Sequence, residues 1–417
     1  MPMTAPYRSS VADRDPGVAV AGIAPSVASR TVPPSLIVRS HESALLTAHV
    51  LWVTERESAL TEGENPTVAS GLLRDRRGAT TLEEVASRAG VSRATVSRVV
   101  NGSPRVSPGV RRGVENAIAE LGYVPNRAAR SLVTGRTASI GVVINEPTGR
   151  LFDDPFFPRL LRGISGSLTE RDLQLVLLMP ESAEDAQRTA DYLVAGHVDG
   201  AVMVSLHDDD VLLSRLALAS ISLVLVGRPP QGVSASFVDV DNRQGARSAV
   251  EHLIAGGRHV IGTIAGPSDM PPGVDRLAGY RDALGAAGLE SDPGLIAYGD
   301  FTQDGGASAM RQLLAAHPDI DGVFAASDLM AAGVLSILAA AGRKVPSDVA
   351  VVGYDDSAVA TSTNPPLTSV HQPIEEMGRE VARLLVEAID GTNRAKRRVI
   401  LATDLVKRAS SAGRRVP

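Results

Sequence analysis

The chain has 417 residues, of which 44% are hydrophobic and 21% charged, so it is long enough for about two to four globular domains. It contains no cysteine, which excludes a disulfide scaffold, a cysteine zinc site, an iron–sulfur cluster and a thiol nucleophile. A net charge of −5 argues against a protein that binds nucleic acid along its whole length.

The charge is distributed unevenly along the chain. Residues 1–79 carry eight Arg and eight acidic residues, whereas residues 80–136 carry nine Arg and four Glu. Residues 137–417 then carry 25 basic and 35 acidic residues. A short basic segment joined to a large acidic one is typical of a nucleic-acid-binding domain fused to a domain of another kind.

The first 79 residues show no sustained hydrophobic periodicity, and we expect a disordered N-terminal extension there. An alternative is that translation begins downstream, for example at Val68, so that part of this segment is not made. The apolar stretch 36–53 is interrupted by Arg39, His41 and Glu42, so it is not expected to span a membrane. Because no secretory signal is visible, we expect a cytoplasmic protein.

Three short helices are predicted between residues 80 and 122. The first begins with Thr80-Thr81-Leu82-Glu83, a capping box in which a hydroxyl is followed by Glu three residues later. The ends of these helices are marked by glycines that break a helix, by cap residues and by a turn. These residues are Gly90, Ser92, Asn101-Gly102, Ser107-Pro108 and Gly122. Two short helices separated by Gly90-Val91 predict a helix-turn-helix, whose second helix enters the major groove of DNA.

The second predicted helix, 93–100, carries side chains suited to DNA. An arginine guanidinium matches guanine O6 and N7, and hydroxyls and amides near a helix start reach phosphates. The candidate DNA-binding residues of this region are Thr81, Ser92, Arg93, Ala94, Thr95, Ser97, Arg98 and Asn101. The alternative, a solvated basic face without a ligand, is disfavoured by the combination of caps, turn and positive charge.

From Ser139 onward, apolar runs alternate with amphipathic helices such as Phe156–Arg171 and Asn242–Ala255. This pattern predicts α/β architecture with parallel sheets covered on both faces. The predicted strands are Ile140–Ile144, Leu173–Met179, Ala201–Val204, Leu223–Val226, Phe237–Val240, Val260–Ala265, Val323–Ala326 and Val349–Tyr354. Because about 270 residues exceed one usual domain, we expect two doubly wound lobes.

Four segments of the chain match one family pattern in order: Thr81–Ala86, Ala89–Ser92, Thr95–Asn101 and Gly122–Asn126. They resemble the lactose/galactose-repressor (LacI/GalR) family of bacterial transcriptional regulators, and the resemblance extends to about residue 410. It implies an all-α helix-turn-helix head, a hinge helix with linker, and a two-lobed doubly wound body similar to a periplasmic binding protein. The corresponding boundaries are 80–124, 125–137 and 138–417.

The resemblance also implies roles for individual residues. Arg93 and Ala94 would select operator bases, and Arg98 would contact a guanine. The hinge residues that would contact DNA are Asn126, Arg127, Arg130 and Leu132. Leu132 matches a wedge that opens a base step from the minor groove; the alternative is an ordinary apolar linker residue.

The body is expected to bind a small molecule, because ligands of parallel α/β sheets sit beyond the carboxyl ends of the strands. Carboxylates and arginines hold sugar hydroxyls, while a flat aromatic ring covers the apolar face of a sugar. The candidate effector-binding residues, from strand ends and from the resemblance, are Phe156, Phe157, Arg276, Phe301, Asp328, Asp355 and Gln372. Two of these residues have an alternative role: Asp328 as the cap of the helix that it begins, and Phe156 as a residue of the hydrophobic core.

These observations predict a ligand-responsive repressor of carbohydrate-utilisation genes that binds pseudo-palindromic operator DNA as a homodimer and needs no cofactor or metal. The competing hypotheses are a solute-binding protein for uptake and an enzyme of the doubly wound class. The basic head and the missing secretory signal argue against the first. No nucleophile–base set, metal set or nucleotide loop supports the second, and the acidic run after His207 is expected to cap a helix.

Overall fold

The computed structural model describes residues 80–124, 131, 135–393 and 395–412. The expected extension, 1–79, lies outside the described residues, as do four candidate hinge residues: Asn126, Arg127, Arg130 and Leu132. Among the described helices, none is both long and apolar enough to cross a membrane.

The head consists of three helices, α1 (Leu82–Ala89), α2 (Arg93–Val100) and α3 (Pro108–Leu121). They enclose a small apolar core whose fully buried side chains are Val85, Val96 and Val114, one from each helix. Left-handed glycines end α1 and α3, at Gly90 and Gly122. This backbone conformation is strained for residues with a Cβ, which explains why glycine marks both helix ends.

The capping box of α1 lies one residue later than predicted. Thr81 Oγ1 accepts a hydrogen bond from Glu84 N (3.3 Å), and Thr81 N donates to Glu84 Oε2 (2.7 Å). Thr80 instead donates from Oγ1 to the Leu121 carbonyl (2.9 Å) at the end of α3. The sequence contains two overlapping Thr/Glu pairs, and a carbonyl 41 residues away decides which threonine caps the helix.

The rest of the described chain alternates strands and helices. The strands are β1 (Ser139–Ile144), β2 (Gln174–Leu178), β3 (Gly200–Val204), β4 (Ser222–Val226), β5 (Ser236–Val240), β6 (Ile261–Ala265), β7 (Ile296–Tyr298), β8 (Gly322–Ala325), β9 (Ala350–Asp355), β10 (Thr368–His371), β11 (Arg398–Leu401) and β12 (Asp404–Val406). The helices are α4 (Thr148–Asp153), α5 (Phe156–Thr169), α6 (Ala183–Val194), α7 (Val211–Leu218), α8 (Asn242–Ala255), α9 (Pro271–Ala286), α10 (Gln303–Ala316), α11 (Asp328–Ala340), α12 (Ala358–Ser362) and α13 (Ile374–Ile389). Short 3-10 helices cover Pro293–Leu295 and Ala409–Ser411.

The strands form two six-stranded sheets, one in each lobe. Sheet 1 has the order β11-β5-β4-β3-β1-β2 and is parallel throughout. Sheet 2 has the order β12-β10-β9-β8-β6-β7, and its last strand, β12, runs antiparallel to β10. In the described chain, β5 leads to α8, β10 to α13 and β11 to β12 across the lobe boundary, so three segments join the lobes.

Both sheets are covered on both faces, as the apolar strand runs predict. In β1, Ile140 and Val142 pack on one face, whereas Val143 packs on the other. In β8, Val323 and Phe324 likewise belong to opposite faces. Because both faces are buried, alternate side chains of one strand enter two different cores, which explains why these strands are continuously apolar.

The sequence pattern did not predict four strands: β7, β10, β11 and β12. Within their bounds none of the four has four consecutive apolar residues, the length of the run (Val323–Ala326) that predicted β8. Helix α13 returns from the second lobe to pack on α5 through facing glycines. A Cβ at Gly163 would lie 2.1 Å from the Glu375 carbonyl oxygen, and one at Gly378 would lie 2.5 Å from the Leu160 carbonyl oxygen. This close approach seats the late helix in the first lobe.

Candidate functional site

The start of α2 is ordered by short-range hydrogen bonds. Ser92 Oγ accepts from Thr95 N (3.2 Å) and shares a second hydrogen bond with Thr95 Oγ1 (2.9 Å). At the other end of the helix, Asn101 Nδ2 donates to Ser97 Oγ (3.3 Å). These polar side chains are therefore held by partners three or four residues away in the sequence.

The exposed residues of α2 include the candidate base-reading side chains. Arg93, Ala94 and Arg98 face solvent, while Val96 and Val99 are buried in the head core. Arg93 forms an ion pair with Glu83 of α1, with 2.8 Å between Nε and Oε1. The head thus presents arginines on an exposed helix that is seated on its own core, as a helix that inserts into a groove requires.

A cavity of about 700 Å³, including its opening to solvent, lies between the two sheets. Its lining follows the carboxyl ends of strands in both lobes, where ligands of parallel sheets bind. Residues that line it include Arg150, Asp154, Phe156, Phe157, Ser205, Leu206, Arg228, Asp239, Asn242, Met270, Pro271, Arg276, Phe301, Ser327, Asp355, Gln372 and Met377.

Arg276 is the best-connected side chain of this cavity. Arg276 is only 5% exposed. It donates hydrogen bonds from Nε to Asn242 Oδ1 (2.8 Å) and from Nη1 to the Ala326 carbonyl (2.6 Å). Its guanidinium lies 3.7 Å from the ring centroid of Tyr354 and has Nη1 3.6 Å from Asp355 Oδ1. Hydrogen bonds and a stacked ring fix the orientation of the guanidinium before any ligand arrives.

The Asp355 carboxyl group lies beside Arg276 and is itself held by Gln372. Gln372 Nε2 donates a hydrogen bond to Asp355 Oδ1, and Arg159 reaches the Asp355 carbonyl from the first lobe (3.3 Å). Asp355 has a φ of 108°, and Ser205 and Phe301 in the same cavity also have positive φ, 59° and 65°. Such conformations cost energy in residues with a side chain and are enriched at binding sites.

Aromatic rings supply the flat apolar surface of the cavity. Two guanidinium groups lie over the Phe301 ring, that of Arg150 at 5.4 Å and that of Arg276 at 5.8 Å from its centroid. Phe156 and Phe157 meet edge to face, with 5.4 Å between their centroids. Phe157 is buried in the first-lobe core as well as lining the cavity, whereas Phe156 is half-buried. Rings beside hydrogen-bonding groups suit a ligand with both polar edges and apolar faces.

The arginines of the cavity already have carboxylate partners. Arg150 pairs with Glu146 (2.7 Å), and Arg228 contacts Asp275 through Nε (3.2 Å) and Nη2 (3.0 Å). Arg276 likewise lies beside the Asp355 carboxyl group, so each arginine of the described lining has an acidic side chain next to it, which favours an uncharged ligand over an anionic one.

Burial perturbs the carboxyl groups of the cavity. Burial raises the pKa of Asp239 to about 6, although its oxygens accept hydrogen bonds from the Val240 and Arg228 amides. Burial also raises the pKa of Asp355, and the Arg276 guanidinium opposes this shift in part. Burial raises the pKa of Asp154 as well. Carboxyl groups in this environment form strong hydrogen bonds because little water competes for them.

Ion pairs and hydrogen bonds connect the lobes at the edge of the cavity. His207, which follows β3, has Nδ1 2.6 Å from Asp269 Oδ2 in the loop after β6, and Asp208 N donates to the Asp269 carbonyl (3.0 Å). The buried Glu146 lies 3.5 Å from His207 Nε2. Glu146 and then Asp269 raise the pKa of His207 to about 9.

Six of the seven candidate effector residues line this cavity: Phe156, Phe157, Arg276, Phe301, Asp355 and Gln372. The seventh, Asp328, is not part of the described lining. Its carboxylate accepts hydrogen bonds from Ser357 N (2.7 Å) and Ser369 Oγ (2.6 Å), which ties α11 to neighbouring strand ends. Ser327 rather than Asp328 caps α11, by accepting from Met330 N (3.2 Å).

Sequence reasoning missed several lining residues: Arg150, Asp154, Ser205, Arg228, Asp239 and Asn242. Ser205 directly follows β3, and Arg228 lies two residues after β4. The strand-end rule, which was applied to the second lobe, would have found both residues if it had been applied to the first lobe as well. Arg150 and Asp154 lie in the α4 region, whose fold over the cavity no pattern in the sequence indicates.

The acidic run after His207 serves as a helix start. Asp210 caps α7 by accepting from Leu213 N (2.9 Å), as the sequence predicts. Among the described residues, no group of three or more His, Cys, Asp or Glu side chains is placed to hold a metal ion.

Comparisons with known proteins agree with this architecture. The model of bacterial regulatory proteins, lacI family, matches residues 81–126, and that of a periplasmic binding protein-like domain matches residues 250–411. The HTH-type transcriptional regulator CelR of Thermobifida fusca is 52% identical over 339 residues, which are 81% of this chain and 99% of that protein.

Two solved structures extend the comparison. A complex of the transcriptional regulator CelR with cellobiose is 51% identical, with a TM-score of 0.65 over 79% of this chain and 99% of the other. The lac repressor dimer bound to operator and the anti-inducer ONPF is 28% identical, with a TM-score of 0.71 over 80% and 99%. The fold class predicted from the sequence, a helical head with a two-lobed α/β body, is confirmed.

Proposed function

The chain belongs to the lacI family of bacterial regulatory proteins, and from this premise we propose that it represses carbohydrate-utilisation genes under the control of a sugar. It is a transcriptional regulator and not an enzyme. The observation that carries the proposal is a pre-oriented Arg276–Asp355 pair beside Phe301, inside a cavity shared by the two lobes.

The head is the operator-binding element of this proposal. Helix α2 enters the major groove, where Arg93, Ala94 and Arg98 face base edges, and the capped start of the helix faces phosphates. Two copies of the chain form a homodimer, so that two heads bind the half-sites of a pseudo-palindromic operator. The lac repressor, a relative at 28% identity, is a dimer in its operator complex.

The hinge and the domain boundaries complete the scheme. We place the head at 80–124, the hinge at 125–137 and the effector-binding body at 138–417. In the hinge, Leu132 is the residue proposed to wedge open a base step, and it lies outside the described residues. A protein that acts on operator DNA works where the chromosome is, so we propose a cytoplasmic location.

The effector is proposed to be a neutral sugar. The cavity combines an aromatic face, Phe301, with paired charges that offer hydrogen bonds without a net charge, and sugars need both. Cellobiose is the first candidate to test, because the CelR structure at 51% identity is a cellobiose complex.

Titration calorimetry and DNA binding test this function together. The purified chain should bind cellobiose or another neutral sugar from a panel, and glucose 6-phosphate should bind more weakly because each arginine of the described lining lies beside an acidic side chain. Duplexes selected from a random library should bind with a log–log salt slope near −0.9 for each neutralised phosphate, and the bound sugar should change that affinity. A chain that selects no duplex, or whose duplex affinity ignores every sugar that binds, would refute the proposal.

A further inference from the structure

The ion pair between Arg93 and Glu83 joins the two helices of the helix-turn-helix. Arg93 is the first residue of α2, and Glu83 lies in the first turn of α1. Both side chains are largely solvent-exposed, 69% and 62%, yet Arg93 Nε approaches Glu83 Oε1 to 2.8 Å. The helices that carry them are fixed to each other by the buried Val85 and Val96, so the pair is presented on a rigid support.

The neighbouring glutamate has a different task. Glu84 is occupied in the capping box with Thr81, whereas Glu83 points its carboxylate to the recognition helix. Two consecutive glutamates in one helix turn therefore act on different groups. Removal of Glu83 leaves the cap of α1 intact, which makes its effect on Arg93 separable from an effect on folding.

The geometry of the contact matters for base recognition. A guanidinium has an edge made by its two Nη groups and another that includes Nε. The closest approach of Glu83 is to Nε, and we infer that the edge made by Nη1 and Nη2 is the one that faces guanine O6 and N7. An arginine without such a partner samples many rotamers, and a carboxylate beside it biases the fork toward fewer of them.

The negative charge of Glu83 is expected to lower the sequence-independent affinity of the head for DNA. A carboxylate near the binding face repels phosphates and lowers affinity for any duplex. A residue that weakens general binding while it orients a base-reading arginine contributes discrimination rather than affinity.

We propose that Glu83 is a positioning residue that sets the base specificity of this regulator by holding Arg93 for a guanine in the major groove. This inference rests on the proposed operator-binding function. It assigns part of the specificity to α1, outside the recognition helix.

Three variants of the full chain test it: Glu83→Ala, Glu83→Asp and Glu83→Gln. The matched control is Glu120→Ala, which breaks another exposed pair of the head, Arg88 with Glu120 (57% and 52% exposed). The base position read by Arg93 is first located with Arg93→Ala, by selection from a duplex library. Each variant is then measured for relative affinity with guanine and with the other bases at that position, for affinity to a random duplex, and for melting temperature.

Glu83→Ala should reduce the preference for guanine at that position about fivefold, the upper range for an exposed pair, and should raise affinity for the random duplex. Glu83→Asp keeps the charge but shortens the side chain, so it should lose the preference without the rise in general affinity. Glu83→Gln keeps an acceptor oxygen and should fall between wild type and Glu83→Ala in preference. Glu120→Ala should leave the preference unchanged.

The possible outcomes distinguish failure of the positioning role of Glu83 from failure of the proposed operator-binding function. If wild-type protein selects an operator but the Glu83 variants keep the guanine preference, the positioning role is wrong and the proposed function stands. The same conclusion follows if Arg93→Ala changes no base preference, or if all Glu83 variants lose affinity for every duplex in parallel with a lower melting temperature. If wild-type protein selects no duplex, the proposed function itself fails.

Discussion

The DNA-binding head and the interlobe cavity arrange their functional side chains in opposite ways. In the head, Ser92 is bonded to a residue three positions away and Ser97 to one four positions away. In the cavity, Arg276 is held by Asn242 and by the Ala326 carbonyl, 34 and 50 positions away. The first site is built by local helix chemistry, and the second exists only where two lobes meet.

Exposure follows the same division. The Arg93 side chain is 69% exposed, whereas that of Arg276 is 6% exposed. A buried charge depends on its partners for solvation, so its removal leaves an unpaired group behind. Function and stability are therefore expected to be separable in the head and coupled in the cavity, and three predictions test this contrast.

The largest effect is expected for Arg276→Ala. The variant removes the cation beside the buried Asp355 and leaves Asn242 Oδ1 and the Ala326 carbonyl without their donor, and each buried group left unsatisfied costs about 1–3 kcal/mol. We expect a lower melting temperature and no measurable binding of the sugar that wild type binds, by thermal unfolding and calorimetry. Arg243→Ala is the control, since it removes an exposed pair with Asp282 between α8 and α9. Unchanged stability and sugar affinity in Arg276→Ala would contradict the coupling.

A smaller and purely functional effect is expected for Arg98→Ala. Arg98 is exposed on α2, and the loss of one guanidinium contact to a base costs about 1–3 kcal/mol of discrimination. Operator affinity should fall, while melting temperature and sugar affinity stay at wild-type values. Fluorescence anisotropy with operator and random duplexes measures the first quantity. A melting temperature that falls together with operator affinity would show that function and stability are coupled in the head too.

The smallest effect concerns His207, which contacts Glu146 in its own lobe and Asp269 in the other. The pKa of His207 is about 9 in the fold against an ordinary value of 6.5, so its protonated form is stabilised by folding. That contribution is fully present below pH 6.5 and is lost as pH rises through about 9. The stability difference between wild type and His207→Gln should therefore be largest near pH 6 and should vanish near pH 10. Urea unfolding at several pH values measures it, with the exposed His259→Gln as control. A difference that is constant with pH would refute the charged contact.

Much of the fold followed from sequence patterns. Long apolar runs such as Ile140–Ile144 predicted strands that are present, and Gly90, Ser92 and Gly122 predicted helix ends that are present. The strands that were missed, for example β12 at Asp404–Val406, have no four consecutive apolar residues within their bounds. The capping box was placed one residue early because a distant carbonyl engages Thr80.

The cavity was predicted in part. The strand-end rule and the family resemblance identified Arg276, Asp355 and Phe301, which line it together. They also indicated Asp328, which lies outside the described lining and accepts hydrogen bonds from Ser357 and Ser369, so its role at the effector stays a prediction. A strand-end carboxylate can face a ligand or a neighbouring loop, and the sequence does not show which, because the choice depends on the packing of elements distant in the chain.

The sequence by itself determined the class of each region: a basic helix-turn-helix, and an acidic body of parallel α/β lobes. These features depend on hydrophobic period, caps and charge, which act over a few residues. The tertiary structure alone decided that α13 returns to the first lobe and that Arg150 joins the cavity. Those contacts depend on close packing between segments far apart in the chain, and a local sequence pattern does not show which distant segment will pack against it.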